Sequence, residues 1–204
     1  MDIVGLKGDR VRLTRLDRGT HLENALRWMN DPEVTATIER NFGVSRKEEE
    51  AFFDLAENPG ETAIYWAIHD EADAHIGFID FHQVSWRHRL AVGGLVIGDR
   101  GAWGKGYATD AVRTRTRFAF EQMGLHRVEG HTICPAMRRV YEKCGYAHEG
   151  TWREKIWRDG RWRDAHLYAI LERDAIGAGE VADPTPGLGM VSTSGKLGPR
   201  SGPR

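Results

Sequence analysis

Residues 95–110 constrain this chain more than any other stretch. A run of Leu95, Val96 and Ile97 stops at Gly98-Asp99, glycines follow at 101, 104 and 106, and a helical pattern starts near Ala108. A strand, a glycine-rich turn and a helix N-terminus in that order make an anion site. Glycine lets the backbone approach closely, the first N–H groups of a helix lack intrahelical partners, and the helix dipole favours negative charge. A fold that provides this junction pairs a sheet with a helix packed on it.

The spacing excludes two familiar phosphate binders. A P-loop needs Gly, four residues, then Gly-Lys-Ser/Thr. Here Asp99 stands five before Gly104, and Gly106 follows Lys105, so no hydroxyl is in place for Mg²⁺. The dinucleotide pattern G-x-G-x-x-G runs Gly104, Gly106 and then Thr109, and fails at its third glycine.

Around the loop, residues 9–16 alternate apolar and polar as a strand does. The apolar positions Leu22, Leu26 and Met29 predict a helix over 20–29, with Thr20 as its cap and Glu23 completing a capping box. Ser45 and Glu48 form a second such box, opening a helix that ends before Asn58-Pro59-Gly60. Strands are expected over 62–69, 75–84 and 90–97, joined by polar turns as antiparallel hairpins. A helix over 108–123 ends at Gly124, a strand covers 127–133, and Pro135 starts a helix through Lys143. Strands from Tyr146 and over 162–171 complete the pattern. The fold class is α/β (α+β): a mixed, mainly antiparallel sheet of about seven strands with helices on both faces. Residues 1–175 form this domain. Residues 176–204 are rich in Gly and Pro, bury too little to offset their ordering entropy, and are expected to be a disordered tail.

The segment Trp103-Gly104-Lys105-Gly106-Tyr107-Ala108-Thr109, preceded by Ile97-Gly98-Asp99-Arg100, resembles the pyrophosphate loop of the GNAT acyltransferases. It looks closest to the branch named for the ribosomal-protein N-terminal acetyltransferases RimJ and RimL. The resemblance runs from about Leu6 to about Arg173. It takes in Trp28-Met29-Asn30-Asp31-Pro32-Glu33-Val34, Tyr141-Glu142-Lys143-Cys144-Gly145-Tyr146 and the turn Asp159-Gly160-Arg161-Trp162.

That resemblance implies an N-acetyltransferase with acetyl-CoA as cosubstrate, no metal, and a primary amine as acceptor: a small molecule, an antibiotic or a protein N-terminus. Trp103, Gly104, Lys105, Gly106, Tyr107, Ala108 and Thr109 would hold the phosphates, and backbone N–H groups of Leu95, Val96 and Ile97 would polarise the thioester carbonyl. Tyr141 is placed as the acid for the departing thiolate, beside the plainer reading of an aromatic packed against Met137 and Cys144. Glu149 is expected to face the acceptor cleft as the base, with His82 as the alternative, and a solvated strand residue is the plain reading of either. Trp28 matches a position on the acceptor side, or else packs in the core. In this branch a glutamate usually precedes the Gly-x-x-Ile-Gly segment, and here Val92 stands there. The usual Asn before the Pro135-type helix start is also absent, in a segment one or two residues short; Cys134 there reads as an inert, buried thiol. These departures favour a second possibility, a non-catalytic acyl-CoA-binding module of the same fold.

The chain of 204 residues carries 40% hydrophobic and 29% charged residues and a formal net charge of −1. That balance argues against general nucleic-acid or membrane-surface binding. The Trp- and Arg-rich stretch from Trp152 to Arg163 reads as a hairpin with solvated arginines and half-buried tryptophans. Its two cysteines form no disulfide framework and lack zinc-ligand spacing. No signal peptide or spanning run is recognisable, so a cytoplasmic protein, possible as a homodimer, is expected.

Overall fold

Cross-strand alternation builds most of the sheet. The computed structural model describes residues 5–40 and 42–176. Its strands are β1 (Leu6–Lys7), β2 (Arg12–Arg15), β3 (Ile64–His69), β4 (His75–Ser85), β5 (Leu90–Ile97), β6 (Arg127–Thr132), β7 (Ala147–Arg158) and β8 (Arg161–Leu171). They form one eight-stranded sheet in the order β1-β2-β3-β4-β5-β6-β8-β7. Every pairing is antiparallel except β5 with β6. The strand beyond the expected seven is the two-residue β1, too short to carry a period.

Helices α1 (Arg18–Met29), α2 (Pro32–Thr35) and α3 (Arg46–Glu57) lie between β2 and β3; α4 (Tyr107–Glu121) links β5 to β6; α5 (Pro135–Lys143) links β6 to β7; α6 (Glu172–Ile176) follows β8. Leu22, Ala25, Phe53 and Ala56 pack α1 and α3 with Ala67 of β3. Ala111, Val112 and Ala119 of α4 and Tyr141 of α5 join the larger core, with Ile79, Phe81 and Val128 of the strands. Helices therefore cover both faces.

The Ser45 capping box forms as expected: Glu48 N–H donates to Ser45 Oγ (3.2 Å) and Ser45 N–H to Glu48 Oε2 (2.7 Å). At α1 the cap is Asp17, not Thr20. The Asp17 carboxylate accepts both the backbone N–H (2.8 Å) and the hydroxyl (2.7 Å) of Thr20, so the helix begins two residues earlier. An aspartate accepts more strongly than a threonine hydroxyl and takes the cap. The tail expected over 176–204 lies, after its first residue, outside the described residues.

One irregularity of the sheet positions everything below. β5 pairs with β4 through Ile97 but with β6 only over Leu90–Val92. Beyond Val92 the two central parallel strands part.

Candidate active site

The cleft opened by that parting is a cavity of about 950 Å³. One end is the glycine loop. Gly104 (φ +75°) and Gly106 (φ +89°) adopt left-handed conformations that a residue with a side chain takes only under strain. Gly106 is the N-cap of α4 and supplies no side-chain acceptor, so the first-turn N–H groups are left to a ligand. The loop is braced from outside. Trp103 Nε1–H donates to Ile97 O (2.8 Å), and the Arg10 guanidinium donates to Lys105 O. Arg10 also lies over the Tyr107 ring, and the Tyr107 hydroxyl donates to Glu71 (2.6 Å). Asp110, in the first turn of α4, accepts the backbone N–H groups of Asp9, Arg10 and Val11 at 3.2, 2.8 and 2.9 Å. Trp103, Gly104, Gly106, Tyr107, Ala108 and Thr109 line the cavity, as do Leu95, Val96 and Ile97. Lys105 does not: it is exposed, and the nearby cations that line the cavity are Arg139 and Lys143 of α5.

At the parting point two glycines admit side chains from both faces. The buried Arg115 of α4 donates from Nη1 to Asp80 O (3.0 Å) and Gly94 O (2.9 Å), and its guanidinium fills the space a β-carbon on Gly93 would need. On the cavity side Asp80 Oδ1 accepts Gly94 N–H (2.9 Å) and lies 2.8 Å from His82 Nδ1. His82 faces Val92 directly across the β4–β5 ladder, and both line the cavity. Cross-strand partners present their side chains to one face. The imidazole therefore stands beside Val92, the position at which the family resemblance implies a glutamate.

Tyr141 reaches the cleft from α5. Its ring stacks on Tyr168 (centroids 5.1 Å apart) and lies against Tyr146, and only 2% of the residue is exposed. Gly130 of β6 makes room for its hydroxyl, since a β-carbon there would come within 2.2 Å of that oxygen. Burial raises the phenol above its usual range, with the Arg115 cation acting against it. The hydroxyl therefore keeps its proton at neutral pH, as a general acid must.

A phosphate-sized anion site, a split between parallel strands and a protonated acid over it describe acyl-CoA chemistry. Residues 10–147 match the family model described as the acetyltransferase (GNAT) domain. The chain belongs to the GNAT acetyltransferase family. It is 31% identical to the uncharacterized N-acetyltransferase YnaD of Bacillus subtilis over 132 residues, 62% of this chain and 75% of the relative. It is 37% identical over 107 residues to the probable N-acetyltransferase YjcK of the same organism, 50% and 58% of the two chains. The fold matches that of the Vibrio cholerae spermidine N-acetyltransferase, crystallised with CoA and spermine: TM-score 0.75 at 22% identity, covering 81% of this chain and 98% of that one. This GNAT protein is an acyl-CoA-dependent N-acetyltransferase with acetyl-CoA as cosubstrate. Among the described residues no His, Cys, Asp or Glu group is arranged to hold a metal, and no helix is long and apolar enough to cross a membrane.

Besides Lys105, two further expected site residues of the GNAT domain lie outside the cavity wall. Glu149 falls at the register shift between His148 and Gly150 in β7, where its carboxylate turns outward to the Arg127 guanidinium (Nη1 to Oε1, 2.8 Å). That ion pair holds the carboxyl below the usual carboxylate range, and Glu149 is not part of the cavity wall. Trp28 is buried under the turn after β5, with its indole against Gly98 and edge-on to Phe78. Cys134 is half-buried on the cavity wall rather than buried. Cys144 is also half-buried; desolvation pushes its thiol up to about 11, and it donates to Thr109 O (3.4 Å).

The structure adds residues that sequence reasoning passed over. Asp80 sits inside the apolar run Phe78-Ile79-Asp80-Phe81, and Arg115 shares the inward stripe of α4 with Ala111 and Ala119. Glu49 shares the buried stripe of α3 with Phe53 and Ala56. A charge at a position whose period demands an apolar side chain was the available signal.

Proposed function

We propose that the chain transfers the acetyl group of acetyl-CoA to a small-molecule primary amine by direct attack on the thioester, with His82 as base and Tyr141 as acid. The amine nitrogen bonds to the carbonyl carbon, and the C–S bond breaks. His82 takes the nitrogen's proton, and the thiolate takes the Tyr141 proton. On the edge of β5 freed from β6 by the parting, the N–H groups that alternate to that side within Leu95–Ile97 would face the developing oxyanion.

The observation that carries this reading is the Asp80-oriented imidazole directly across from Val92. It supplies a proton acceptor where the branch's glutamate is missing, and so favours an enzyme over a binding module. The bond to Asp80 orients the ring.

A small acceptor is favoured by the segment that covers the cavity. Glu39 pairs with His131 of β6 (3.1 Å), and the Arg158 guanidinium of β7 donates to Ile38 O. Both ties fasten the stretch after α2 across the cleft, leaving less room for a protein N-terminus. The amine reading agrees with the structurally similar Vibrio cholerae spermidine N-acetyltransferase, crystallised with CoA and spermine. The same reading includes a place beside the ribosomal-protein N-terminal acetyltransferases, a cytoplasmic setting, a homodimer, and no nucleic-acid or membrane partner. Incubation with acetyl-CoA and a panel of amines, following release of free CoA, tests it. Binding of acetyl-CoA with no amine acetylated would instead favour the module.

A further inference from the structure

The acceptor side of the cavity carries four carboxylates: Glu39, Glu48, Glu49 and Asp80. Three are engaged. Glu39 pairs with His131, Glu48 closes the Ser45 capping box, and Asp80 holds Gly94 N–H and His82. Glu49 differs. It is 4% exposed and lines the cavity, yet among the described residues its carboxylate makes no hydrogen bond or ion pair. The exposed Arg40 acts on it only through its field, and burial wins, raising the carboxyl above its usual range. An unpaired buried carboxylate is costly, and an apolar residue on the stripe shared with Phe53 and Ala56 would pack without that cost. Cavity residues near it include Phe52, Tyr65 and Phe78, a surface suited to an alkyl chain.

Resting on the amine-acceptor reading above, we infer that Glu49 binds a second positive charge on the acceptor, remote from the nitrogen that is acetylated. The acceptor class is then an amine bearing a further ammonium or guanidinium group across an apolar spacer. The reacting nitrogen lies at His82 and the parting of β5 from β6, on the strand wall of the cavity. Glu49 stands on the helical wall formed by α3.

The test compares wild type, Glu49→Gln and Glu49→Leu with 1,5-diaminopentane and 1-aminopentane. It follows CoA release, and also calorimetric titration of the diamine into CoA-loaded protein. Wild type is expected to prefer the diamine about tenfold or more in kcat/KM, the scale of one charged hydrogen bond. Both variants lose that preference through KM. Glu49→Leu melts at or above the wild-type temperature, because it completes the apolar stripe. Preference retained in the variants, absent in wild type, or lost only with a lowered melting temperature in both variants overturns the assignment. If neither amine is acetylated but the diamine binds wild type about tenfold tighter than Glu49→Gln, Glu49 keeps its role and the acetyl-transfer reading falls. Acetylation of both amines without dependence on Glu49 has the opposite meaning.

Discussion

Gly98 rests on the indole of Trp28 so closely that a β-carbon would come within 2.0 Å of Trp28 Cδ2. The turn leaving β5 thus takes its path from a ring supplied by α1. Gly98→Ala must push that turn toward the cavity or displace the indole. Overpacking of this kind costs about 1–3 kcal/mol, and in a chain of this size each kcal/mol lowers the melting temperature by about 2–4 °C. Thermal melts check the cost, and a titration with acetyl-CoA should show weaker binding. Unchanged stability and affinity would mean that Trp28 does not shape the loop.

Gly106 occupies a left-handed conformation at φ +89° directly before α4. Gly106→Val forces a β-branched residue into that region, a strain of about 1–3 kcal/mol, and the loop relieves it by abandoning the anion-binding geometry. Acetyl-CoA affinity is expected to fall about tenfold or more, with the melting temperature in the absence of ligand changing little. An affinity equal to wild type would remove the loop from the phosphate site.

Tyr141→Phe keeps the stack on Tyr168 and removes only the hydroxyl. Loss of a general acid lowers kcat about 10²–10⁴-fold while the dissociation constant for acetyl-CoA stays near wild type. Rapid-quench or CoA-release kinetics beside a binding titration separate the two. A full rate in the variant would leave Tyr141 as packing alone.

For the base, His82→Ala should lower kcat/KM about 10²-fold or more, and Asp80→Asn by less, because the imidazole remains. The double variant is expected to be no worse than His82→Ala, since the pair acts as a unit. Additive losses would show that Asp80 serves mainly through its bond to Gly94 N–H.

Stability should also depend on pH through a histidine cluster remote from catalysis. His21, His69 and His75 lie with ring centroids 4.6–5.7 Å apart between α1, β3 and β4, beside Trp28. Burial lowers His21 below the usual range and lowers His75 to about 3, helped by the neighbouring imidazoles. Arg27 also disfavours a charge on His75, while Asp17 favours one on His21. These groups stay neutral when folded but protonate near pH 6.5 when unfolded. The unfolded chain then binds more protons, and stability falls as pH drops below 6.5. The loss is at most about 1.4 kcal/mol per pH unit for each group. Urea midpoints at pH 7, 6 and 5 measure it. His75→Phe should flatten the slope, and an unchanged slope would count against the cluster as its source.

Local chemistry carried most of the elements. Pro135 fixed one helix start, Ser45 with Glu48 fixed another, and the span 135–143 appears as expected. What the sequence concealed depended on pairing between distant segments. The outward turn of Glu149 follows from a register shift in β7, and nothing local to Tyr146–Gly150 encodes it. Trp28 could not be separated from an acceptor-side residue without knowing that Gly98 would lie on it. The likeness to GNAT loops pointed to residues 103–109 as the cosubstrate end. His82 gained weight only from the β4–β5 register that sets it across from Val92.

Asp110 gathers the amide groups of Asp9, Arg10 and Val11 into the first turn of the helix whose opening presents the anion site. The start of the chain is therefore a structural tenant of the donor pocket. A fusion tag or processing event that reached Arg10 would act on acetyl-CoA recognition, although among the described residues none before Val11 lines the cleft. Preparations that differ only at that end are best compared for cosubstrate affinity before any difference in their turnover is ascribed to the acceptor.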